Sequence, residues 1–128
     1  MICIMYKEVL LSSILFILID SIYLTSISKY FNHQIMMVQG SPLVLDYGGA
    51  VLSYIFLIFG LYYFILREKK TIYDAFLFGL VMYMVYEATN KAIIKNWKWK
   101  TVLMDGIWGG ILYALTTYAT YRLLGYRV

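Results

Sequence analysis

The stretch Tyr83–Ile94 (YMVYEATNKAII) ends an apolar run with Glu87, Thr89, Asn90 and Lys91. A carboxylate at the centre of a lipid-facing helix costs about 2.5–3.5 kcal/mol even on the lower scales, so such a group turns inward, pairs, or takes up a proton or cation. Tyr83, Tyr86, Glu87 and Asn90 follow the i, i+3, i+4, i+7 spacing and share one helical stripe. Two further acids stand in apolar surroundings, each with an aromatic residue three positions on: Asp20 with Tyr23, and Asp105 with Trp108. Together these residues make a candidate site for a proton, a cation or a small polar ligand. Plainer roles compete. Glu87 and Lys91 have the i, i+4 order that suits a helical ion pair. Asn90 and Thr89 suit interhelical hydrogen bonding, and Asp105 suits the positive end of a helix. Asp20 has no partner nearby in sequence and must find one across the bundle.

Four apolar segments have to position these side chains, at about residues 9–28, 42–66, 72–95 and 101–124. Each is close to the ~20 residues that a spanning helix needs. The reading is an all-α, integral membrane four-helix transmembrane bundle, up-down-up-down, forming a single domain over residues 1–128. Ser41-Pro42 reads as the start of helix 2, with Pro in the first turn where its missing N–H does no harm. Thr71-Ile72-Tyr73-Asp74 has the form of a capping box and starts helix 3. Asn96–Lys100 (NWKWK) turns the chain between helices 3 and 4 and suits a membrane interface. This topology gathers Asp20, Glu87 and Asp105 in one leaflet and leaves no comparable polar set in the other. Gly106, Gly109 and Gly110 offer a close-approach surface, for a neighbouring helix of the same chain first and for a second copy otherwise.

Composition excludes several classes. Hydrophobic residues make up 62% of the 128 and charged ones 14%, against roughly 45–50% and 25% in globular domains. The net charge of +4 comes from basic residues in short segments between apolar runs, the pattern of membrane flanks rather than of a nucleic-acid binder. Cys3 and His33 are the lone residues of their types, so no zinc spacing exists and neither metal nor other cofactor is expected. The first segment reads as a retained helix rather than a signal peptide, because Asp20 interrupts the apolar core and no small-residue cleavage site follows. Six basic residues fall on the side of the termini and five on the other, a margin that leans towards cytoplasmic termini.

Tyr83–Ala92 (Y-x-x-Y-E-A-T-N-x-A), Trp97 and Thr101–Gly109 (T-x-x-x-D-x-x-W-G) resemble the bacterial domain-of-unknown-function 2177 family of small membrane proteins. Asp20, Tyr23 and Leu24 resemble the family's D-x-x-W-L, and Ser53-Tyr54 with Gly60-Leu61 and Phe64 resembles a further string of it. Glu87 stands where the family has Asp, and Tyr23 where it has Trp. The resemblance implies the four-helix membrane fold and marks the polar residues, without implying an activity.

Three functional readings follow. The first is a binding or transport element, with Asp20, Tyr23, Tyr83, Tyr86, Glu87, Asn90, Asp105 and Trp108 around the ligand. Four helices leave little room for alternating access, so transport would call for a homo-oligomer. The second is a structural or assembly protein whose buried acids fix helix packing. The third is a lipid-modifying enzyme or its accessory subunit, which lacks a nucleophile and base in the sequence; no catalytic residue is assigned. Membrane lipids are the expected partners.

Overall fold

The computed structural model describes residues 2–128, which form four helices in chain order. These are α1 (Ile2–Gln39), α2 (Tyr47–Gly60, continued by a π-helical turn over Leu61–Leu66), α3 (Ile72–Ile93) and α4 (Trp99–Leu123). Successive helices run antiparallel. Contacts between Asp20 and Tyr54, Gly79 and Gly109, and Tyr23 and Asp105 fix the pairs α1–α2, α3–α4 and α1–α4.

The boundaries differ from the expected ones at two places. Helix 1 is 38 residues long and does not stop near residue 28. Nothing between Ile2 and Gln39 breaks it, since Gly and Pro are absent there and Ser13 and Ser26 return their hydroxyls to carbonyls of the preceding turn. Gly40, at φ +76°, ends it in the left-handed conformation that glycine adopts freely. Pro42 does not start helix 2. Asp46 does, capping it by accepting a hydrogen bond from the Gly49 amide at 3.3 Å. Thr71 caps helix 3 as its sequence requires, through Asp74 N–H at 3.0 Å.

Between Gly60 and Arg67 the ladder widens to i→i−5 bonds, as in Arg67 N–H to the Tyr62 carbonyl at 2.8 Å, and beyond it Lys69 turns left-handed so that Lys70 N–H closes the helix end on the Ile65 carbonyl at 2.9 Å. The widened turn brings Leu61, Ile65 and Leu66 onto the core together. They pack with Phe16, Ala75, Leu112 and Tyr113.

Helix α4 is the centre of the bundle. Its seam with α3 is close because glycines face it. A Cβ on Gly79 would collide with the Gly109 carbonyl, one on Gly109 with Tyr83, one on Gly106 with Met84, and one on Gly110 with Phe76. Gly106, Gly109 and Gly110 therefore face α3 within this chain. Burial also explains the hydropathy pattern. Only α1 and the Tyr47–Leu66 helix are long and apolar enough, by composition, to cross a membrane. Helix α4 hides four polar residues, Thr101, Thr116, Thr117 and Thr120, and so needs less apolar surface.

Candidate functional site

The antiparallel contact of α1 and α4 sets two short motifs side by side, Asp20-x-x-Tyr23 and Asp105-x-x-Trp108. Each aromatic side chain donates to the other helix's acid. The Tyr23 hydroxyl donates to Asp105, and Trp108 Nε1–H donates to Asp20 at 3.0 Å. The two rings stack between the acids, with centroids 4.3 Å apart and planes 5° from parallel. An i, i+3 spacing on both helices is what makes the exchange reciprocal. Asp20, 6% exposed, receives a second bond from the Tyr54 hydroxyl of α2. Three helices are thereby tied at one level.

Glu87 is deeper, at 1% exposure. Its carboxylate accepts from Trp97 Nε1–H at 2.9 Å, and the α3–α4 register, with Met84 against Gly106 and Tyr83 against Gly109, sets it level with Asp105. Trp97 reaches it because the 94–98 turn folds back under α3. Asn96 holds that turn at φ +68°, a conformation asparagine tolerates. Gln34 secures the turn to α1 by donating to the Asn96 carbonyl at 2.7 Å and accepting from Lys98 N–H at 3.3 Å. Thr101 adds a bond to Gln34 Oε1 at 2.9 Å and one to the Tyr30 hydroxyl at 2.8 Å. A second polar layer thus lies just beyond the acids.

Of the residues singled out from sequence, Asp20, Tyr23, Glu87, Asp105 and Trp108 come together. Tyr83 lies next to them with its ring against Gly109. Tyr86 does not belong to the group: it is 62% exposed and faces outward. The stripe was too wide, and a residue next to Glu87 in sequence points about 100° away from it around a helix. Asn90 is half-buried, and no hydrogen bond among the described residues joins it to the cluster. The Glu87–Lys91 ion pair does not form either; Lys91 lies over the Trp99 ring at 5.4 Å. Tyr54, Trp97, Gln34, Tyr30 and Thr101 were not assigned to the site. Their partners are up to 71 residues away, and no local spacing carries such pairings.

The opposite end of the bundle also corrects the expectation that it would be bare. Glu8 is 3% exposed and paired with Lys69 Nζ at 2.6 Å, and Ser12 on the same helix and Thr116, Thr117 and Thr120 late in α4 are buried as well. Lys69 sits in the loop after the π-helical turn, at φ +54°, and also covers the Tyr126 ring at 4.4 Å. Burial alone would lower the Lys69 ammonium, but the hydrogen bond and charge of Glu8 outweigh it and hold the group above its ordinary value. Burial pushes the Tyr126 phenol up, with the Glu8 charge adding to it.

No lysine, arginine or histidine among the described residues pairs with Asp20, Glu87 or Asp105; the ion pairs there are Lys69–Glu8 and Arg67–Glu68. The acids are held by neutral donors instead. A family model described as a predicted membrane protein (DUF2177) matches residues 5–122. No curated protein and no solved structure matches the chain.

Proposed function

The chain belongs to the DUF2177 family of predicted membrane proteins, and from that premise we propose that it is a multi-pass membrane protein whose Glu87–Asp105 pair binds a proton within the bilayer. One observation carries the reading: the register of α3 on α4, with Met84 against Gly106 and Tyr83 against Gly109, sets the buried Glu87 level with the half-buried Asp105, and no cationic side chain among the described residues pairs with either. Two like charges on facing helices in a medium of low dielectric repel, and a shared proton removes the repulsion. The donors fit this state. Trp97 donates to one Glu87 oxygen and Tyr23 to one Asp105 oxygen, and the second oxygen of each carboxyl accepts no hydrogen bond among the described residues. A hydrogen-bonded pair suits a proton better than a metal cation, which calls for more oxygen ligands than two carboxyls supply there. Both termini lie on the cytoplasmic side in this reading, and lipid covers the exposed apolar faces of α1 and α2.

The reciprocal bonds of Tyr23 and Trp108 favour a second role for Asp20, that of fixing the register of α1 against α4. Acid–base titration of the protein in lipid nanodiscs separates the two roles. Wild type takes up one more proton than Glu87→Gln between alkaline and mildly acidic pH, and Asp20→Asn leaves that difference in place. Identical titration curves for wild type and Glu87→Gln would remove the proton site.

A further inference from the structure

The α1–α4 seam keeps one register along its length. Tyr23 meets Asp105, Asp20 meets Trp108, and Phe16 meets Tyr113 at a centroid distance of 5.3 Å. Continued by one turn, it sets Ser12 level with Thr116 and Thr117; by another, it sets Glu8 level with Thr120. On α4, Tyr113, Thr116, Thr117 and Thr120 have the i, i+3, i+4, i+7 spacing of one stripe, and all are fully buried. The Thr120 hydroxyl is satisfied by the Thr116 carbonyl at 2.7 Å. The hydroxyls of Thr116 and Thr117 have no hydrogen-bond partner among the described residues. A buried hydroxyl left without a partner costs on the order of 1–3 kcal/mol, and buried water is the usual remedy. The seam reaches bulk water at Lys69, whose side chain is 49% exposed while its ammonium touches the buried Glu8. Between this end and Asp20 the fully buried Phe16 stands in the seam, packed edge-on against Tyr113 and Tyr54.

We propose that the α1–α4 seam is a hydrated proton path from the Lys69 face to Asp20, sealed by Phe16. It rests on the reading of the acid cluster as a proton site and brings a proton as far as Asp20, across the stacked Tyr23 and Trp108 rings from Asp105. Glu8 and Asp20 are twelve residues apart, about 18 Å along the helix, so water must bridge them. Each step breaks one O–H bond and forms the next, with no change of oxidation state. At the entrance Glu8 is faced by Lys69 from the loop, Tyr121 from α4 and Tyr126 beyond it. Above Phe16, the Trp108 and Tyr54 donors face Asp20. A single apolar constriction can stop conduction by excluding water.

Two measurements test the path. In proteoliposomes carrying an internal pH dye, Phe16→Ala raises proton leak about tenfold or more over wild type, equivalent to some 1.4 kcal/mol off the barrier. Adding Thr116→Val and Thr117→Val returns the leak to the wild-type rate. Separately, Thr116→Val in the wild-type background leaves the thermal midpoint unchanged or lower, because the hydroxyl it deletes is bonded to water. A folded Phe16→Ala protein with wild-type leak overturns the proposal, and so does a clear rise in midpoint on Thr116→Val, the mark of a dry site. Should the path fail while Glu87→Gln still loses its titrating proton, the proton site stands without it.

Discussion

Replacing Asp20 by asparagine and by leucine should give two different results. Asp20 offers one oxygen to Trp108 Nε1–H and the other to the Tyr54 hydroxyl. Asparagine keeps one oxygen and presents an NH2 group in place of the other. Indole cannot accept, so the amide oxygen stays on Trp108 and the NH2 turns to Tyr54, whose hydroxyl accepts as readily as it donates. Both bonds survive, and the stability change is within about 0.5 kcal/mol. Leucine leaves two donors without acceptors. Interhelical hydrogen bonds in membranes average about 0.6 kcal/mol and reach about 1.7, so two of them put Asp20→Leu about 1–3 kcal/mol below wild type. Reversible denaturation in mixed micelles, followed by far-UV circular dichroism, measures both. Trp108 emission gives a local check, since losing its acceptor and loosening the Tyr23 stack alters the indole's surroundings. If asparagine is as damaging as leucine, the charge rather than the pair of acceptors holds the helices. If leucine is neutral, the clasp contributes nothing and its reciprocal geometry is incidental.

Gly79→Ala pushes a methyl group into the Gly109 backbone carbonyl, which cannot rotate away, and should lower stability by about 1–3 kcal/mol; unfolding in the same micelles checks it, and a neutral result would mean that α3 and α4 separate easily. The Lys69 ammonium is held above its ordinary value of 10.5, so the stability it gives is complete below that pH and is lost as pH rises through the higher folded value. The thermal midpoint should therefore be flat from neutral pH to about pH 10 and fall above it. The Lys69→Met protein starts lower, because Glu8 is left buried without its partner, and shows less of that alkaline fall.

Much of the fold could be read from particular residues. Apolar run lengths gave four helices, Thr71 and Asp74 marked a helix start, and the acids with their neighbouring aromatics marked the polar interior. Gly106, Gly109 and Gly110 signalled a close seam, which the structure places between α3 and α4. Helix 1 was read too short because a spanning length was taken as its limit, although no residue before Gly40 ends it. Pro42 misled because proline tolerates a helix's first turn but does not compel a helix, whereas Asp46 actively caps one. Glu8 carries no local signal, because its partner is Lys69, 61 positions away in the loop that follows the π-helical turn. Trp97 looked like an interface anchor and instead donates to Glu87 from a folded-back turn. The last two share one cause: a contact between distant elements is set by register and helix rotation, and neither is encoded in any short stretch.

Infrared spectroscopy tests the central claim most directly, that Glu87 and Asp105 share a proton inside the bundle. Protein labelled with carbon-13 at glutamate carboxyls, held in lipid at neutral pH, should show the carbonyl stretch of a protonated, hydrogen-bonded carboxyl. That band should lose intensity in both Glu87→Gln and Asp105→Asn and persist in Asp20→Asn. Only carboxylate stretches in the wild-type spectrum, with the same spectrum in all three variants, would mean that the pair is fully ionised and the proton site is absent.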